Sequence, residues 1–326
     1  MTLRVAGGRS LAVALPAALA AALAAAHPIA LPAVLGAQAI CSAPHSSPTL
    51  AAGGSIGTLA PATGWVMVST LYQGSSASFN SDGERQSFLA HGRFRSSSLY
   101  LSTGAGLVRG VDLWAQLPVH GMRYLDQGGE RRRSGVGDLR VALRISPALL
   151  RRTLPLALRV GAKIPGSDFP LDATIIPLTE GQRDLEVSLE SGHAFHMKGL
   201  YVLGWSGVRR RFLNRESDRK PGDERFLHAA MGRQVARLRV EVATDFLTGQ
   251  APRQVGLELP TARRRLLQLA PTVVRPLGRG TLEFTAVVPL VGRNLPTGPG
   301  FSTGYRREWG RRSPPIPRAK AFDPSP

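Results

Sequence analysis

Cysteine is almost missing from this 326-residue chain: Cys41 is the only one. A single thiol closes no internal disulfide and builds no Cys-rich zinc site. Ile40 is bulky where a lipoprotein leader needs a small residue, which argues against lipidation of Cys41. Long apolar runs are missing too. After residue 39 no segment is a continuous apolar span of the ~20 residues that a transmembrane helix needs. An exported chain of this kind can enter a membrane only as a closed barrel. Charge is not gathered either. There are 41 basic and 22 acidic residues, a net +19. The bases lie in loops and at alternate strand positions, in no tail and on no single helix face, which argues against a nucleic-acid partner.

Catalytic and ligand-binding motifs are also lacking. His193 and His196 lie near a short turn with Ser188 and Ser191, but no Ser-rich motif accompanies them. Asp126, Asp223 and Glu224 lie near loop rims and pair with nothing in sequence. His91, His120, His193, His196 and His228 are scattered. His193-x-x-His196 offers two metal ligands without a third. Gly53-Gly54-Ser55-Ile56-Gly57 precedes no helix pattern, so it is not a phosphate loop. The reading is a protein that is not an enzyme, with no cofactor and no metal.

What is present begins with a leader. Arg4 and Arg9 form a positive start, residues 11–26 are apolar and alanine-rich, and Ala37-Gln38-Ala39 is a small-x-small cleavage site. His27, Pro28 and Pro32 interrupt the run below the length of a span. The expected organisation is a cleaved signal peptide over residues 1–39 and a flexible periplasmic segment over 40–63. A barrel follows over 64–309, then a polar tail over 310–326.

From Gly64 onward the chain alternates apolar and polar residues in short runs, punctuated by many of its 36 glycines and 25 prolines. Leu139, Val141, Leu143 and Ile145 share one face, and Arg140, Ala142 and Arg144 the other. This is a period of two, which marks a strand. The runs 111–120, 156–163, 185–190, 238–246 and 282–288 alternate likewise. Weaker runs at 65–72, 99–108, 200–209, 226–233, 266–274 and 301–309 bring the total to about twelve. Short connections (109–110, 147–153, 197–198, 236–237, 277–280) alternate with long polar ones (73–94, 125–135, 165–183, 214–224, 249–264, 292–300). Short turns at one end and long loops at the other are the pattern of bacterial outer-membrane barrels. The fold class expected is therefore all-β: an antiparallel transmembrane β-barrel of about 12 strands. An even strand count leaves both ends of the barrel on the short-turn, periplasmic side.

Some features conflict with this expectation. Pro118, Pro271 and Pro289 fall inside strands of a barrel that has no free edge. The run 200–209 has no clean polar face. The chain ends Pro-Ser-Pro where such barrels usually end on an aromatic, so Tyr305 and Trp309 stand in internally. Alternation alone also fits a soluble periplasmic β-protein, with the faces reversed.

In the membrane reading the lumen receives Asp112, Gln116, His120, Arg140, Arg144, Arg159, Lys163, Glu186, Glu190, Arg239, Glu241, Asp245 and Glu283. Both signs are present, which suits a mutually neutralising ladder or a permeation path. The clusters Arg131–Arg133, Arg151-Arg152, Arg209–Arg211 and Arg263–Arg265 suit either solvated loop charge or the phosphates of lipopolysaccharide.

One stretch carries a family resemblance. Gly135-Val136-Gly137-Asp138-Leu139 opens a strand, and the next strand ends Gly161-Ala162-Lys163-Ile164-Pro165-Gly166. A long loop then leads to Thr179-Glu180-Gly181-Gln182-Arg183-Asp184-Leu185-Glu186. This order resembles the MetA-pathway-of-phenol-degradation, or putative transporter, family of outer-membrane proteins. The motifs cover residues 135–190, and the rest of the match is barrel rhythm. The resemblance implies passage of small hydrophobic or aromatic solutes and no catalytic residues. Asp138 and Asp184 stand at strand starts, where a carboxylate accepts backbone N–H bonds. The expected function is an outer-membrane channel or transporter, assembled by the barrel-assembly machinery. The alternatives are a structural or adhesive barrel with a plugged lumen and the soluble periplasmic protein.

Overall fold

The computed structural model describes residues 58–150, 154–167, 176–195 and 199–310. The leader, Cys41, the glycine run at 53–57, Arg151-Arg152, His196, Met197-Lys198 and residues 311–326 lie outside the described residues.

Twelve strands form the barrel wall: β1 (Gly64–Ser75), β2 (Arg93–Val108), β3 (Val111–Asp126), β4 (Gly129–Val136, resuming at Leu139–Ile145), β5 (Leu156–Ile164), β6 (Asp184–Ala194), β7 (Leu200–Arg211), β8 (Glu224–Val235), β9 (Leu238–Gly249), β10 (Arg265–Leu277), β11 (Gly280–Arg293) and β12 (Gly300–Trp309). Each pairs antiparallel with its sequence neighbours, and β1 also pairs with β12, from Gly64↔Trp309 to Gln73↔Gly300. The sheet is therefore closed, and no edge is left for lipid to meet unpaired. The two parts of β4 pair with successive lengths of β3, so they are one strand broken at Gly137-Asp138.

Every run read from the sequence lies within one of these strands, and several strands extend outward past it. The segment 125–135, expected as a loop, is instead the tip of the β3–β4 hairpin, paired from Val119↔Val136 to Asp126↔Gly129. The long connections carry two small three-stranded sheets. One joins Ala77–Phe79, Arg85–Ser87 and Leu295–Pro296, and the other joins Arg219–Lys220, Arg253–Gln254 and Leu257–Glu258. At the opposite end β2 turns into β3 through Arg109-Gly110. Gly110 has φ +79°, and a Cβ there would run into the Leu149 backbone.

Faces decide the solvent. Outward side chains along the wall are apolar and exposed, among them Val68, Leu101, Leu117, Val187, Leu227 and Phe284. Inward side chains at alternating positions are polar and buried, among them Ser102, Gln116, Lys163, Glu241, Gln268 and Thr285. A soluble barrel hides its apolar face. This one presents it all round, as lipid requires. The soluble reading fails on this point.

The prolines sit where the ladder gives way. Pro118 faces the break in β4, where its carbonyl accepts the Gly137 N–H (2.9 Å), between the pairs Gln116↔Arg140 and Val119↔Val136. The β10–β11 pairing skips Pro271, resuming at Thr272↔Thr285. Pro289 adjoins a bulge: Leu267 pairs with Val291 and Gln268 with Pro289, leaving Leu290 extra. Interrupted ladders and bulges are where a missing N–H costs least.

Candidate functional site: the barrel lumen

Inward alternation places all thirteen sequence-read lumen residues on the inner wall: Asp112, Gln116, His120, Arg140, Arg144, Arg159, Lys163, Glu186, Glu190, Arg239, Glu241, Asp245 and Glu283. They do not form one cluster. Three regions hold all of them but Glu283, which stands on β11.

On β3–β6 the wall is charged. Arg144 bridges Asp112 (3.4 Å) and Glu190 (2.9 Å), and Arg159 reaches Glu190 at 3.3 Å while lying over the Trp114 ring at 5.0 Å. Arg140, Arg159, Lys163, Glu186 and Arg209 line a small cavity of about 20 Å³. Charges withdrawn from water must be paired, and this wall meets that condition largely through ion pairs between adjacent strands. His120 is held by the Ser98 hydroxyl (2.7 Å), and Gln116 donates to Ser102 (3.0 Å).

On β7–β10 the wall is apolar. Tyr201, Leu203, Trp205, Phe226, Ala230, Ala243, Leu247, Leu266 and Ala270 form one buried cluster on the inner face. This explains the missing polar face of residues 200–209: one side meets lipid and the other meets an apolar lumen. Set in this wall is a polar chain. The Asp245 carboxylate accepts from His228 Nδ1 (2.7 Å) and from Gln268 (3.2 Å), and the Trp205 ring stacks on His228 at 3.6 Å and 9°. The Tyr201 hydroxyl donates to Glu241.

At the loop end lies a hub that the sequence reading missed. Glu180, in the β5–β6 connection, turns inward and meets Arg211, Lys163 (3.2 Å) and Arg264 (2.9 Å). Lys163 also meets Asp138 (3.2 Å) and Asp184 (3.1 Å), while Glu224 binds Arg209 (2.8 Å) and Arg211 (3.0 Å). Burial would raise the Glu180 carboxyl. The Arg211 guanidinium, then Lys163 and Arg264, more than offset this and hold it well below the ordinary glutamate value of 4.5. Leu178 seats the same loop against Phe94 and Met122.

The basic clusters are corrected accordingly. Arg209, Arg211 and Arg264 face the lumen, where they are paired, and cannot meet lipid headgroups. Arg131 turns to Asp126 and Arg133 to the Ile176 carbonyl (3.1 Å), leaving Arg132 as that cluster's outward member. A signal for the inward arginines was available: Arg209 and Arg211 stand two apart, the spacing of one strand face. Glu180 had no such signal, because its partners lie 17, 31 and 84 residues away.

At the short-turn end residues 58–63 lie against the inner wall. The Leu59 N–H donates to Asp112 (2.8 Å), Thr58 meets Ser146 (3.0 Å), and Leu59 packs on the cluster of Trp65, Met67, Trp114 and Ala142.

A closed wall, apolar outside and polar within, with a constricted interior, defines a twelve-stranded transmembrane barrel of the outer-membrane type. Among solved structures, the outer membrane channel from Pseudomonas putida F1 has this fold. It is 15% identical, with a TM-score of 0.64, over 78% of this chain and 98% of its own. The translocator domain of the autotransporter NalP from Neisseria meningitidis is 10% identical over 81% and 93% of the two chains, with a TM-score of 0.44. The CymD monoaromatic hydrocarbon channel is 9% identical over 87% and 95%, with a TM-score of 0.39. No family model and no curated protein matches the chain.

Proposed function

We propose that the chain is a non-catalytic channel of the bacterial outer membrane that passes small hydrophobic or aromatic solutes. One observation carries this reading. The inner wall of four of the twelve strands, β7–β10, carries an apolar cluster with Trp205, Phe226 and Tyr201 in it, crossed by the polar row of His228, Asp245 and Gln268. A lumen built only to be filled has no need of it, since paired charges already pack the wall on β3–β6. An apolar solute gains roughly 25 cal/mol per Å² of its surface taken from water, while the few hydrogen-bonding groups among the rings orient it. The motifs at residues 135–190 support membership of the MetA-pathway-of-phenol-degradation-like family. Export by a cleaved leader over residues 1–39, insertion by the barrel-assembly machinery and contact with lipopolysaccharide follow from the same location.

The plugged-barrel alternative has its own observation, the Glu180 hub across the loop end. Two measurements separate the readings. Proteoliposomes with the barrel should take up a small aromatic solute faster than protein-free ones, and Trp205→Ala with Phe226→Ala should slow that uptake by about tenfold. Uptake equal to that of empty liposomes would leave the plugged barrel standing. In planar bilayers, Glu186→Gln with Glu190→Gln should shift ion selectivity toward anions. Unchanged selectivity of an open channel would remove both residues from the path.

A further inference from the structure

Outward side chains on β2–β4 form rows, read from the register of the three strands. Leu99, Val119 and Val136 stand abreast, and Ser97, Gly121 and Ser134 form the next row toward the loops. The third row is Arg95, Arg123 and Arg132, with Arg93, Leu125 and Glu130 beyond it. The order runs from apolar to small polar to cationic, as the wall passes from hydrocarbon to headgroups.

The third row is electrostatically incomplete. Like charges directly opposite each other on neighbouring strands destabilise a sheet, and here three arginines are adjacent. Glu130 meets both Arg123 and Arg132, one carboxylate for two guanidinium groups. Arg123 and Arg132 remain 40% and 67% exposed. Arg93 and Arg95 are exposed, with no carboxylate partner among the described residues. Strands lie about 4.8 Å apart, so the row spans roughly 10 Å. That is a compact array of planar donors suited to bidentate contact with phosphate oxygens.

We propose that this row binds the phosphate groups of a phosphorylated glycolipid of the outer leaflet, the chemistry of lipid A. The site rests on the outer-membrane location argued above and adds to it a defined patch on β2–β4. The phosphates supply the missing negative charge, and the acyl chains lie along the apolar rows below.

The test uses the full barrel purified in detergent and titrated with bis-phosphorylated lipid A in mixed micelles, read by native mass spectrometry. Arg95→Gln/Arg123→Gln/Arg132→Gln should bind at least about tenfold more weakly. The control Arg237→Gln/Arg275→Gln/Arg279→Gln, equal in charge but at the short-turn end, should bind as wild type does. Arg95→Gln alone should weaken binding measurably, and it breaks no ion pair of the barrel. Equal loss in both triple variants would mean general charge attraction and overturn the site. Undiminished binding of dephosphorylated lipid A would overturn it as well. Displacement of lipid A by millimolar inorganic phosphate would reassign the row to free anions. A barrel found in the outer-membrane fraction whose loop-end triple variant keeps wild-type affinity refutes the site alone. Absence from that fraction refutes the location and the site with it.

Discussion

At the residue scale the two most consequential positions are a loop carboxylate and the glycine at the break in β4. Glu180 is ionised with a depressed folded pKa, so its contribution is present above the unfolded value of 4.5 and is lost as pH falls through the folded value. Its hold on the loop end should therefore be level from pH 8 to 5 and weaken only in more acid solution. Glu180→Gln leaves Arg211, Lys163 and Arg264 short of a partner and should cost about 3–5 kcal/mol at neutral pH. Urea midpoints at pH 7 and pH 3.5 check both claims: the gap between them should shrink in the variant. An equal gap in both proteins would mean that the acid loss arises elsewhere. Gly137 is constrained from the other side of the wall, because a Cβ there would collide with the His120 ring and with Pro118. Gly137→Ala should destabilise by roughly 1–3 kcal/mol, as overpacking does. The temperature at which the folded band is lost on a detergent gel should drop, and His120→Ala should recover part of that drop. Simple addition of the two effects would show that the residues do not press on each other.

At the element scale, the strands were legible because lipid and lumen impose opposite chemistry on successive residues. Alternation at 139–145 or 185–190 survives translation into structure without change. It faded in two places. At 200–209 both environments are apolar, so Tyr201, Leu203 and Trp205 gave no period of two and the apolar part of the lumen wall went unread. At 125–135 both faces are polar, because the β3–β4 hairpin extends beyond the apolar rows. Glu180 was illegible for a different cause: a loop residue acquires its role from partners that only closure of the barrel brings near. The three prolines were visible as conflicts, and each marks an irregularity that a regular reading cannot contain. The bulge at Leu290 is the most testable of these. It corrects the facing of β11, so that Pro289 and Gly292 both point inward although they stand three positions apart. Deleting Leu290 alone removes the extra residue and leaves Val291, Gly292 and Arg293 on their present faces, opposite the same β10 partners. Deleting Leu290 together with Val291 would turn Gly292 and Arg293 over and carry Gly292 away from Phe79, which now packs over it. The double deletion should lower the yield of heat-modifiable barrel severalfold, whereas the single deletion should not. Equal yields would show that the facing of Gly292 is not needed for assembly.

At the scale of the whole molecule the lumen is narrowed at both ends. The Glu180 hub lies across the loop end, and residues 58–63 lie at the short-turn end, tied by Leu59 to Asp112 and by Thr58 to Ser146. Two constrictions along one path act as resistances in series, and the larger dominates. Loosening either end alone leaves the other in place, so conductance should rise little. Glu180→Gln combined with Asp112→Ala should raise it by more than the product of the two single effects. Asp112 is a suitable handle because its loss frees the Leu59 N–H and also unpairs one side of Arg144. Single-channel recording of the wild type, both single variants and the double variant forms a complete cycle. A double variant equal to the product of the singles would mean that ions do not cross both ends in sequence. A single variant at Asp112 that already opens the channel fully would place the limiting constriction at the short-turn end and make the Glu180 hub a brace for the loops. A large effect at Glu180 alone would give that hub the gate. The apolar wall on β7–β10 stays intact in every member of the cycle, so solute uptake measured in parallel separates the width of the path from its chemistry.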